Sequence, residues 1–125
     1  MTTVAEKIST LCVALRNCEK VGNSDWAARH RERLRKIEKE HLPCGAGFDA
    51  GSKVDVEQTT ADKIVIQTSF HHMGEHGMYD GWTEHAVTAK PTFLGLEISV
   101  DGVDQNEIKD YIAETFSYDL GLKND

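Results

Sequence analysis

The chain has 125 residues, 39% hydrophobic and 28% charged, with a formal net charge of −7. That balance is ordinary for one globular domain, and residues 1–125 are expected to form a single one. It argues against a membrane span, which needs roughly 18 apolar residues in a row, and against a general nucleic-acid binder, which needs a basic footprint.

The opening segment, MTTVAEKISTLCVALRN, lacks the charged-then-apolar layout of a signal peptide. Its apolar residues Val4, Ile8, Leu11, Cys12 and Leu15 repeat at helical spacing, so an amphipathic helix is expected over residues 3–20. Gly22-Asn23 should stop it. Ser24 or Asp25 can then cap a second helix, from about residue 25 to 41, with Trp26, His30, Leu34 and Ile37 on one side. Most of this helix is charged. Arg29, Arg31, Arg33, Arg35, Lys36 and Lys39 stand against Glu32, Glu38 and Glu40. One reading is a solvated face with ion pairs such as Glu32–Lys36. The other is a basic strip suited to an anionic small ligand or an acidic partner surface. Leu42-Pro43 ends the helix.

"LPCGAGFDAGSKVDV" follows, a glycine-containing loop leading to a short strand near Lys53–Val56. It matches neither the P-loop nor the dinucleotide fingerprint. Cys44, with Cys12 and Cys18, makes three cysteines without a C-x-x-C pair, read as reduced thiols of a cytosolic protein. From Lys63 the period becomes two. Ile64, Ile66, Thr68 and Phe70 share one side; Val65, Gln67, Ser69 and His71 share the other. Further strands are expected at about 82–90 and 93–100, with the bend at "AKPT" and short links that favour antiparallel pairing. Asp104 and Glu107 form a capping-box-like start to a last helix, whose stripe is Ile108, Tyr111, Ile112, Thr115 and Phe116 and whose end is Gly121. The expected fold class is α+β: two N-terminal helices, an antiparallel sheet of about four strands, and a C-terminal helix packed on the sheet.

The segment "SFHHMGEHGMYDGWTEH", Ser69–His85, holds four of the six histidines. A metal site would need converging imidazoles or carboxylates. His71 and His72 are strand neighbours and diverge. Gly74 and Gly77 make a helix carrying His72 and His76 improbable. No metal and no cofactor are therefore expected. No triad or nucleophile elbow is present, and a non-enzymatic role is favoured. The remaining readings are a hairpin whose aromatics pack on the sheet, and a binding rim. In the rim, Phe70, Tyr79 and Trp82 stack against a ligand while His71, His72 and His85 supply polar contacts. Arg29 and Arg33 of the second helix, with Arg31 or Arg35, would neutralise phosphates.

"LPCGAGFDAGSK", "TSFHHMGEHGMYDGWTEHAV" and "NEIKDYIAETFSYDL" together resemble a group of small proteins encoded by tailed bacteriophages. Those carry an LPSGSGFD-like loop, an HHMxxxGxYxGWTEH stretch and a closing IKDY helix. Cys44 and Ala46 stand where serines are common in the group, and Val103-Asp104-Gln105 lacks its arginines. The resemblance implies a phage protein of the host cytoplasm, and small phage proteins without a catalytic signature are often counter-defence factors. The expectation is a homo-oligomer that sequesters a nucleotide-type ligand, such as a cyclic nucleotide or a cyclic ADP-ribose signal. The alternatives are a non-enzymatic inhibitor that binds a host defence protein, and a histidine-based metal-dependent hydrolase.

Overall fold

The computed structural model describes residues 2–42, 52–73, 79–93, 95–101, 106–121 and 123–124. A short strand, β1 (Thr2–Thr3), leads into α1 (Val4–Lys20) and α2 (Ser24–His41). Four strands follow: β2 (Ser52–Val54), β3 (Ile64–Met73), β4 (Tyr79–Thr92) and β5 (Gly95–Val100). Then come α3 (Asn106–Gly121) and β6 (Lys123–Asn124), which pairs antiparallel with β1. The main sheet has the order β2-β3-β4-β5 with every neighbour antiparallel. The fold is α+β, with two N-terminal helices, a four-stranded antiparallel sheet and a C-terminal helix against β5.

Local chemistry sets the ends of the helices. Thr3 caps α1 by accepting the Glu6 N–H at 3.1 Å. Gly22 turns the chain at φ 77°, a left-handed conformation that costs glycine little. The α2 cap is Asn23, whose side-chain oxygen accepts the Trp26 N–H at 3.3 Å, rather than Ser24 or Asp25. The turn is tighter than the sequence suggests, so the helix begins one residue earlier. Leu42 closes α2 at ψ 149°, the extended conformation imposed on a residue before proline. Asp104 lies outside the described residues.

One core joins the layers. Val4, Ile8 and Cys12 of α1, Leu34 of α2, and Ile112, Phe116 and Leu120 of α3 pack against Ile64, Ile66, Phe70, Val87, Ala89 and Val100 of the sheet. Each fully buried large apolar side chain contributes about 1.5–3 kcal/mol. The β3 residues Ile64, Ile66, Thr68 and Phe70 all lie on this covered side. The opposite face carries exposed Lys53, Gln67, Glu84, Lys90, Glu97 and Ser99. Val65 departs from that alternation. It is buried because the connection after β2 folds over it: its N–H bonds to the Thr59 hydroxyl and its carbonyl accepts from Asp55.

The bend between β4 and β5 is not at Pro91. Pro91 pairs with Leu96 inside the ladder, and the chain reverses between Thr92 and Gly95. Proline is tolerated there because β3 pairing stops at Ala89, so its missing N–H costs β3 nothing. Among the described residues no helix is long and apolar enough to cross a membrane.

Candidate functional site

The residues expected at a binding rim fall in three places. Phe70 is 9% exposed and lies 5.9 Å, centroid to centroid, from the Tyr111 ring of α3. His85 is 2% exposed, and its Nδ1 lies 3.1 Å from the Asp101 carbonyl. Both sit under the helices. His71, His72, Tyr79 and Trp82 lie in the β3–β4 ladder, where His71 pairs with Trp82 and Met73 with Tyr79. The side chains of those four are outside the described set. Arg29 and Arg33 are exposed on α2. Arg29 stacks over Trp26, its guanidinium carbon 4.9 Å from the ring centre.

His85 ends a buried polar row. Ser52, Thr68 and His85 stand opposite one another on β2, β3 and β4, and the Ser52 and Thr68 hydroxyls are 2.9 Å apart. Hydrogen bonding is what makes such burial affordable. Among the described residues no three His, Cys, Asp or Glu side chains are placed to hold a metal ion. His76 lies outside that set.

The helical hairpin forms two grooves, and its charges sort between them. Arg31 and Arg33 are two residues apart, roughly 200° around the helix, and must point to different sides. The first groove, about 290 Å³, is lined by Arg16, Arg31, Arg35 and Lys53 with Glu19, Glu38 and Glu57. Two of its four cations, Arg16 and Arg31, are engaged. Arg31 pairs with Glu19. Arg16 donates to the Val56 carbonyl at 2.5 Å and also to the Thr59 carbonyl, tying α1 to the turn after β2. Burial pushes the Glu38 carboxyl above its usual range; a bond from the Val54 N–H, with Lys53 and Arg35 nearby, opposes this.

The second groove, about 620 Å³, runs between Lys7, Thr10 and Leu11 of α1 and Arg33, Lys36, Ile37, Glu40 and His41 of α2. Leu11 and Ile37 are half-buried and make an apolar floor. Lys7, Arg33 and Lys36 are exposed, and among the described residues none of them is in an ion pair. Glu40 stands 4.0 Å from His41. At the far end, burial pushes Asp119 of α3 up, while His41 pulls it down. The groove therefore offers three cations against one carboxylate, Glu40, over an apolar patch, on a chain of net charge −7.

Arg33 belongs to both the sequence-expected set and this groove. Lys36 is not singled out because the α2 charges read as one strip, and Lys7 and Thr10 join the groove only through the packing of α1 on α2. The signal was present in the spacing: Arg33, Lys36, Ile37 and Glu40 recur at i, i+3, i+4, i+7, a single helix face. Comparison with known protein families, curated proteins and solved structures finds no match.

Proposed function

We propose that the protein is a non-catalytic phage accessory factor that acts in the host cytoplasm by sequestering a small anionic, nucleotide-type defence signal. A cyclic nucleotide or a cyclic ADP-ribose isomer has the required chemistry. The observation that carries this reading is the α1–α2 groove, with Lys7, Arg33 and Lys36 over Leu11 and Ile37 and in no ion pair among the described residues. Arg33 offers a bidentate fork to a phosphate, and the lysines add point charges. The apolar floor suits the face of a base or ribose. Trp26, two helical turns before Arg33 or about 10 Å away, is 46% exposed and already carries a guanidinium. His71, His72, Tyr79 and Trp82 remain candidates for a second recognition surface on the sheet. The resemblance of the sequence motifs to tailed-phage proteins supports the origin and the counter-defence role.

The test is a thermal-shift panel of linear and cyclic nucleotides, with inorganic phosphate as control. A ligand at 100 times its dissociation constant adds about 2.7 kcal/mol, or roughly 10 °C for a chain of this length. The Arg33→Gln/Lys36→Gln double variant should melt like the parent and lose the ligand shift. Trp82→Ala separates the surfaces: a retained shift locates binding in the groove, a lost shift extends it to the sheet. No shift with any nucleotide would overturn the proposal in favour of a host defence protein as the partner.

A further inference from the structure

The two edges of the main sheet are built differently. β2 is three residues long and carries Lys53, both of which protect an edge from pairing. β5 is six residues, pairs with β4 through six consecutive positions without a bulge, and contains neither lysine nor proline. Among the described residues no strand covers its outer side. The phase of its hydrogen bonding is fixed at one end. Asp101 donates to the Ala86 carbonyl, so Ser99, Glu97 and Gly95, at alternate positions, are the residues that bond to β4. The N–H and C=O groups of Leu96, Ile98 and Val100 therefore point to the free edge. Their side chains lie on the helix side, with Val100 buried and Leu96 and Ile98 only half-covered.

We infer that this edge is the contact for a second copy of the chain, joined β5 to β5 antiparallel about a two-fold axis through Ile98, so that two four-stranded sheets become one. An axis normal to the sheet keeps both sets of helices on the same side and pairs residues whose numbers share a constant, even sum. Centring on Ile98 sets Ile98 against Ile98, Leu96 against Val100 and Glu97 against Ser99. All three pairs formed by residues 96, 98 and 100 are then of the type that exchanges two hydrogen bonds. The half-covered apolar side chains meet each other, and no carboxylate faces another. Centring on Glu97 loses one of those pairs and brings Glu97 directly opposite Glu97, a like-charge pair at the closest strand spacing. The strand is thus self-complementary in one register and penalised in the neighbouring one.

Sedimentation across a concentration series should show a reversible monomer–dimer equilibrium, with a dimer of twice 13.9 kDa. Ile98→Pro removes an outward N–H and part of a half-covered side chain but no bond to β4, and should give a monomer that still melts cooperatively, at a somewhat lower temperature. Crosslinking tests the register without relying on that variant's folding. Glu97→Cys protein mixed with Ser99→Cys protein should form an interchain disulfide between those two positions under mild oxidation, mapped by mass spectrometry, while either protein alone should not. A monomer at every attainable concentration overturns the inference. So does a dimer that crosslinks through Glu97→Cys alone, or one that forms no 97–99 disulfide.

Discussion

The two grooves of the helical hairpin use the same residue types for opposite ends. In one, arginines are spent on structure: Arg16 on two carbonyls of the turn after β2, Arg31 on Glu19. In the other, Lys7, Arg33 and Lys36 have no ion-pair partner among the described residues. Composition alone gives these residues equal weight. What separates them is whether an acceptor lies within reach, and a cation that lacks one can be replaced without loss of fold.

Substitutions sharpen this contrast. The largest effect belongs to Arg16→Leu, which keeps the apolar stem but leaves the Val56 and Thr59 carbonyls without their donor. Denaturant melts should show a loss of about 3 kcal/mol. Arg33→Gln in the other groove should change stability by less than about 0.5 kcal/mol. Equal losses for the two would erase the distinction.

Asp55 comes next. Burial would raise its carboxyl, but the Gln58 N–H, the Gln67 and Gln58 side chains and the Glu57 N–H bond to it, and together they hold it below its usual range. A carboxylate depressed in the folded state stabilises above its ordinary range, and that contribution is lost as pH falls through the folded value. Because these bonds are solvent-exposed and screened, Asp55→Asn should cost no more than about 1 kcal/mol at neutral pH and flatten the acid limb of the stability curve. An unchanged limb in urea midpoints measured against pH would remove Asp55 from the account.

Glu19→Gln is expected to cost little stability, on the scale of Arg33→Gln. The pair it breaks is solvent-exposed, with both side chains 47% accessible, and such pairs contribute about 0–1 kcal/mol. Its interest lies in the charge it frees. With Arg31 released, the first groove becomes more basic and should gain weak phosphate affinity by titration calorimetry. If it gains none, charge alone does not make the second groove a site, and its apolar floor is the deciding element.

Much of this architecture was legible because two periods are visible in the chain. The 3.6-residue stripe of Val4, Ile8 and Cys12 and the two-residue alternation of Ile64, Ile66, Thr68 and Phe70 gave the element order and the covered sheet face. Less was legible where a tertiary partner decides. The burial of Val65 depends on a distant turn folding back, and the strand position of Pro91 on where β3 stops pairing. Nothing local in the sequence says that Arg31 meets Glu19 across a helical hairpin, while Arg33, two residues on, is in no ion pair among the described residues. Of the α1–α2 groove only Arg33 was expected as a site residue, as a phosphate contact beside an aromatic rim on the sheet; the split between neighbouring arginines needs the packing of α1 on α2.

Cys12 lies at 0% exposure in the middle of the core, and burial pushes its thiol up to about 11, against the opposing pull of Arg16 and Thr59. Only a thiolate reacts readily, so this sulfur is silent while the core is closed. Cys18, six residues along the same helix, is half-exposed. With Cys44 replaced by serine, the pair makes an internal clock: a thiol reagent meets Cys18 in the native molecule and Cys12 only after α1 has left the sheet, so the interval between the two labelling events times the opening of the core.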